Sequence, residues 1–283
     1  MKTQHFFCYL AVLTICFTAC KKTDDGQPQN GQPQVKKEIF NGYAQKGPFV
    51  NGSSVTISEL KENLDQTGKT YSSTISDNLG SFEQKNIELV SCYVALKADG
   101  FYFNEISGET SGAPMTLYAL TDIEAVNSAN VNVLTHLEKP RVEYLVKQQR
   151  MNFSAAKKQA QREVLAIFGF EPSETSSEAL DLTADAKLLA ISCILQGYLS
   201  TGDMMQLMAD INADIKEDGK LDNMVLGSKL MNNAHSVNLS IATIRENLTK
   251  KYAELGINIT IPDFESYVQS FIDSDLYPLT TSI

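Results

Sequence analysis

The stretch Ser73-Thr74-Ile75-Ser76-Asp77-Asn78-Leu79-Gly80-Ser81-Phe82 decides how the chain is read. A β-rich run closes at Ile75, a polar turn follows, and an aromatic residue resumes the apolar pattern. The Asp77 carboxylate can accept hydrogen bonds from the backbone N–H groups just after it. Gly80 supplies the positive φ that side-chain-bearing residues resist, and Phe82 is expected to return to the core. Outward from this turn, Val55-Thr56-Ile57, Tyr71 to Ile75, Ser91 to Lys97 and Met115 to Leu120 are short β-rich or alternating runs. Gly52, Gly68, Asp99-Gly100 and Gly108 punctuate them at turn-like intervals. Strands of this length and spacing predict a small antiparallel β-sandwich over residues 39–120.

Further upstream, Gly42-Tyr43-Ala44-Gln45-Lys46-Gly47-Pro48-Phe49 leads into Asn51-Gly52-Ser53-Ser54-Val55. This Gly-rich opening strand and the Asp77 turn together resemble the transthyretin-like, or carboxypeptidase regulatory-like, domain. The resemblance implies an Ig-like sandwich that serves as a spacer or binding platform, and it implies no activity. Phe101-Tyr102-Phe103 together with Tyr93 offer an exposed aromatic platform for sugar or peptide, with Tyr102 the ligand-binding candidate. The competing and favoured reading is plain alternation, with Phe101 and Phe103 inward and Tyr102 outward at a strand edge.

From about residue 121 the apolar period changes from two to 3.6. Ser154 is positioned to cap a helix whose Ala156, Ala160, Val164 and Phe168 share a face, with Gly169 past its end. A second helix is expected from Thr183 to Leu199; its Leu188, Leu189, Ile191, Ile194 and Leu195 are apolar almost all round, which marks a central buried helix. Met204 to Ile215, Ile241 to Leu255, and Phe264 to Phe271 behind Pro262 give three more amphipathic stripes. Short loops between such helices predict an antiparallel helical bundle over 121–283. The fold class expected is thus α+β and multidomain, a sandwich followed by a bundle. The phrase Asn130-Val131-Asn132-Val133-Leu134-Thr135-His136-Leu137, continuing to Leu145, resembles one seen in uncharacterised bacterial lipoproteins with this domain pairing. Pro140 inside it predicts a kink or a restart, since a proline within a helix costs ~3 kcal/mol or more.

The amino terminus reads as an address. Phe6 to Phe17 is an uncharged apolar run behind Lys2, too short for a bilayer that needs ~20 helical residues. Phe17-Thr18-Ala19-Cys20 follows and resembles a bacterial lipoprotein signal of the loose form seen in Bacteroidetes. The resemblance implies removal of residues 1–19 and lipidation of Cys20; the alternative is an ordinary signal peptide cut after Ala19, leaving a loose thiol. Two or more acyl chains give stable anchoring where one is marginal. Residues 20–38, rich in Gln, Pro and Gly, form a flexible linker reaching on the order of 25 Å. Lys22-Thr23-Asp24-Asp25 resembles the acidic export signal for the outer face of the outer membrane, which favours the cell surface over the periplasmic face. Of the five cysteines, Cys92 and Cys193 remain in the body and are expected to be buried and unpaired.

Little in the chain points to catalysis. A net charge of -10 and a pI near 4.9 exclude a nucleic-acid partner of the ordinary electrostatic kind. His-Glu-x-x-His, Cys-x-x-Cys and phosphate-loop spacings do not occur, so neither metal nor cofactor is expected. His136, beside Thr135 and Glu138, is a candidate base near a carboxylate, and the favoured reading is a polar residue bridging the two domains through hydrogen bonds. Asp210 to Asp222 departs from a calcium loop, with Ile215 and Leu221 where Gly and a bidentate carboxylate belong. Should an ion bind there, Asp214, Asp218 and Asp222 supply the oxygens. The expectation is a lipid-anchored, non-enzymatic binding or assembly module held to the membrane, with a glycan or an envelope protein left open as partner. The rivals are an accessory or degenerate hydrolase with an interdomain site near His136, and a structural envelope spacer.

Overall fold

Strand β1 (Val35–Gln45) is the spine of one sheet in the computed structural model, which describes residues 35–279. β4 (Ser81–Leu89) lies antiparallel along it, and β9 (Val131–Asn132) pairs parallel with Ala44 and Gln45. A second, antiparallel sheet has the order β3 (Gln66–Thr74), β2 (Ser54–Leu60), β5 (Tyr93–Gly100), β8 (Met115–Asp122). A short hairpin, β6 (Phe103–Asn104) and β7 (Glu109–Thr110), completes the strands.

The decisive turn has the geometry its residues suggested. Asp77 Oδ1 accepts from the N–H groups of Leu79 at 3.0 Å and Ser81 at 3.1 Å, and its other oxygen takes the Ser81 hydroxyl. Gly80 has φ of 82°, and Phe82 is buried. The glycine of the opening strand has a steric reason: a Cβ at Gly42 would lie 2.0 Å from the Ala129 carbonyl oxygen. Only glycine lets the returning segment bond to β1, where Ala129 N–H donates to Asn41 O at 3.0 Å. The facing edges of the two sheets are closed by side chains. The Tyr71 hydroxyl both donates to and accepts from the Glu88 backbone at 2.8 Å, and Ser73 Oγ donates to Glu83 O at 2.7 Å. Such capping leaves fewer bare edge groups for another chain to pair with.

Seven helices follow among the described residues: α1 (Val133–Lys147), α2 (Phe153–Ile167), α3 (Ala186–Gln196), α4 (Thr201–Ile215), α5 (Met224–Leu239), α6 (Ile241–Glu254) and α7 (Glu265–Asp273). Asn132 ends β9 and caps α1: its Oδ1 accepts from Thr135 N–H at 3.0 Å, while Asn132 N–H donates to Thr135 Oγ1 at 2.9 Å. Helix α3 is central, with Leu188 through Gln196 all buried. Each large aliphatic side chain it hides contributes about 1.5–3 kcal/mol. The chain is an α+β protein, with antiparallel sheets in its N-terminal half and helices in its C-terminal half. All the described residues belong to one compact unit. One apolar core joins Phe40, Val55 and Leu117 of the sheets to Leu188, Leu207 and Phe271 of the helices.

Several local expectations are corrected. Helix α1 runs unbroken through Pro140 and does not restart there. Asn152, not Ser154, caps α2, and Asp185 caps α3, so that helix begins after Thr183 and stops before Leu199. The Asn152 amide oxygen or the Asp185 carboxylate at the cap accepts from the free N–H groups of the first turn, which displaces the start from the nearby hydroxyl residue. The alternation expected at residues 101–103 fails at two of its three positions: Phe101 is 43% exposed and Tyr102 is buried, while Phe103 is buried as expected. No regular strand spans these residues, and the Tyr102 hydroxyl is drawn inward by Gln196 Oε1 at 2.7 Å. Cys193 is buried and Cys92 half-buried, and both are free thiols.

Candidate functional site

Several ionisable side chains of the helical half are engaged in pairs and clusters. Glu138 of α1 and Lys157 of α2 face each other because the two helices pack side by side, and the 3-10 turn Ser177–Ala179 brings Glu178 to the same point. Lys157 Nζ is 2.8 Å from Glu138 Oε2 and also donates to Glu178. The Ser177 hydroxyl donates to the other Glu138 oxygen, and Gln161 Nε2 donates to Ser177 Oγ at 3.1 Å and to Thr175 O at 2.8 Å. Burial pushes the Glu138 carboxyl upward; Lys157 opposes this, Glu178 adds to it, and the net direction is up. Burial alone would lower Lys157, yet Glu138 and Glu178 on either side hold it above its ordinary value. The cluster therefore keeps its ammonium and shares it between two carboxylates.

A cavity of about 240 Å³ opens over this cluster, lined by Glu138, Lys157 and Gln161 on one side and Ser173, Ser176 and Ser177 on the other. Lys158 and Arg162, one helical turn apart, complete the wall. It offers charged and hydroxyl hydrogen-bonding groups without an aromatic surface, a set that can hold a small polar molecule.

A second cluster lies wholly inside. Lys46 Nζ and Glu105 Oε2 are 2.6 Å apart with both side chains fully buried. Ser192 of α3 donates to Glu105 Oε1 at 2.9 Å and to the Lys46 carbonyl at 2.5 Å. Asn247 of α6 donates to the carbonyls of Glu105 at 3.1 Å and Ile106 at 3.2 Å. These contacts tie the strand region to two helical positions, Ser192 and Asn247, and they satisfy groups that would be costly to bury alone. Arg141 does the same for α4, forking onto Glu163 at 2.7 and 3.1 Å and capping the Lys216 carbonyl at 3.2 Å.

The residues singled out in the sequence do not converge. Tyr102 is inside, bonded to Gln196 and within 3.3 Å of Thr201 Oγ1, with Lys46 Nζ 5.4 Å from its ring centre. His136 stacks on Tyr118 with ring centres 5.9 Å apart, and its Nδ1 is buried with no partner. Burial, aided by Lys139, pushes its imidazole down to about 4. Glu138, two residues on, turns away into the Lys157 cluster. Asp214 Oδ2 accepts from the N–H groups of Asp222 at 2.9 Å and Asn223 at 3.1 Å, and Asp218 accepts from Lys220 N–H at 3.0 Å. Asp214 thus braces the turn before α5, and the three carboxylates form no ligand cluster. Cys92, Asp122 and Glu124 have potential ligand atoms within 4.8 Å of one another among the described residues. Burial, then Asp122, push the Cys92 thiol up to about 11, which leaves it protonated and a poor ligand at neutral pH. Cys20, the signal residues and the expected linker up to residue 34 lie outside the described residues, of which no helix is long and apolar enough to cross a membrane.

Sequence reasoning missed Lys46, Glu105, Lys157 and Glu178. Their partners are 59, 19 and 21 residues away along the chain, and no periodicity marks such pairings. No protein-family model, curated protein or solved structure matches this chain.

Proposed function

We propose that the chain is a lipid-anchored envelope protein of the outer membrane, displayed at the cell surface, that acts as a non-enzymatic binding or assembly module. In this reading the strand region is a transthyretin-like sandwich, the helices form a bundle braced against it, and the tether runs from residue 20 only as far as the start of β1, since residues 35–38, expected as linker, belong to that strand and lie along β4 instead. The carrying observation is the pairing of the buried ions. Lys46 pairs with Glu105 inside the strand region, where Ser192 ties the pair to α3, and Lys157 between Glu138 and Glu178 joins α1, α2 and the 3-10 turn. Groups so engaged stiffen a platform, and a stiff platform binds with little ordering cost. The membrane part of the proposal is supported by the uncharged run Phe6 to Phe17 and by Phe17-Thr18-Ala19-Cys20.

Protease shaving of intact cells, paired with fractionation of a Cys20→Ala variant, tests it. The expected result is cleavage from outside and loss of the variant from the membrane fraction. A wild-type chain found soluble, or a variant that stays with the membrane, would overturn the proposal.

A further inference from the structure

The outer face of the second sheet carries a groove that neither charged cluster uses. Helices α1 and α2 cover one end of that face, where Leu60, Leu120 and Tyr93 pack against Val142, Leu145 and Phe153. Beside this contact a groove of about 340 Å³ remains, lined by Thr56, Ser58, Lys97, Tyr118, Lys139 and Glu143. Its volume falls at the lower end of the ~300–1,000 Å³ usual for small-molecule sites.

The chemistry of the lining selects a ligand class. Lys139 Nζ lies 2.8 Å from Glu143 Oε1, and Lys97 Nζ lies 3.8 Å from Asp99 Oδ2. Each cation in the groove is already matched by a carboxylate, so neither an anion nor a cation finds an unpaired countercharge. What remains is neutral and polar. The hydroxyls of Thr56, Ser58 and Tyr118 and the side-chain amide of Gln66 have no hydrogen-bond partner among the described residues. They stand beside apolar Leu60, Leu64 and Ala95, with the Tyr118 ring steadied by His136 and by Lys139 Nζ at 5.4 Å. Hydroxyls that both donate and accept, next to an aromatic ring and a small apolar floor, complement a molecule with hydroxyls at its rim and C–H groups on its faces.

We propose that this groove is a binding site for a neutral carbohydrate, with one pyranose unit seated against Tyr118 and its hydroxyls bonded to Thr56, Ser58 and Gln66. The inference rests on the binding-module reading but not on the lipid. Titration of the ¹⁵N-labelled full chain with glucose-, mannose- and N-acetylglucosamine-based tetrasaccharides at millimolar concentration tests it. At least one sugar should shift the amides of Thr56, Ser58, Lys97 and Tyr118. Tyr118→Ala should weaken binding about tenfold, Tyr118→Trp should retain it and report it through the only indole of the chain, and Ser58→Ala on the exposed face should weaken it a few-fold without affecting the fold. No groove shifts with any of the three sugars, shifts confined to the cavity over Lys157, or a groove response to citrate alone would overturn the assignment. That failure would leave Cys20-dependent membrane attachment standing, and loss of that attachment would leave a sugar response of the groove intact.

Discussion

Removing the charge of Glu105 should be among the most damaging single substitutions in the molecule. Glu105→Gln leaves the Lys46 ammonium fully buried with no carboxylate at 2.6 Å; a neutral amide oxygen and the Tyr102 ring 5.4 Å away offer only weaker compensation. Breaking a buried pair from one side costs ~3–5 kcal/mol, because the surviving charge keeps its desolvation penalty. With a urea slope of ~2–3 kcal/mol/M for a body of this size, the unfolding midpoint should fall by roughly 1–2.5 M. Lys46→Met should cost a similar amount, whereas Lys46→Met with Glu105→Leu should lie near the wild type, since an apolar pair of like volume carries no desolvation cost. The pH dependence has a definite sign. Burial is the largest single influence and pulls Lys46 down, but Glu105 together with Tyr102 and Cys193 outweighs it, and the folded value lies above the unfolded one. The stabilisation is therefore complete below the unfolded value of ~10.4 and lost only as pH rises through the higher folded value. Urea melts of the four proteins form a double-mutant cycle. Single substitutions that each cost under ~1 kcal/mol and add without coupling would refute the reasoning.

Three further outcomes are expected. His136 is held down at about 4 against an ordinary 6.5, so the unfolded chain binds the extra proton between these values. Stability should be complete above ~6.5 and fall by ~2 kcal/mol as pH drops towards 4, the figure allowing for the solvent the ring retains; His136→Phe should flatten that slope in thermal melts across this range. Gly42→Ala puts a methyl group 2.0 Å from a backbone oxygen and should cost several kcal/mol or prevent folding, while Gly112→Ala, with nothing within 4 Å, should be neutral or stabilising by ~0.4–1 kcal/mol in the same melts. Asp77→Ala strips the turn of its bonds to Leu79 and Ser81 and should cost ~1–2 kcal/mol, with hydrogen exchange accelerating first at Leu79 and Ser81.

The features that were legible in the sequence are those written in neighbouring residues. The Asp77–Gly80 turn, the inward Phe82 and the all-round apolar surface of α3 each depend on a window shorter than one helix. Helix starts slipped by two or three residues because Asn152 and Asp185 compete with nearby hydroxyl residues for the cap. What could not be read depends on distant partners. Two-residue β9 shows no alternation, yet it closes the first sheet because Gly42 lets its approach segment lie against β1. Tyr102 turns inward for a hydrogen bond to Gln196, which lies 94 residues further on. Lys46 and Lys157 look like ordinary surface lysines until Glu105, Glu138 and Glu178 are folded onto them. The unpaired hydroxyls of the sheet-face groove were equally hidden, since Thr56 and Tyr118 meet only across paired strands.

The central claim is that this rigid body is held at a membrane through residue 20. Intact and peptide mass spectrometry of the chain purified from its native envelope addresses it directly. The account predicts a mature polypeptide beginning at Cys20 and carrying the added mass of a diacylglyceryl group. An unmodified sulfhydryl at that residue, or a chain that keeps residues 1–19, would contradict it.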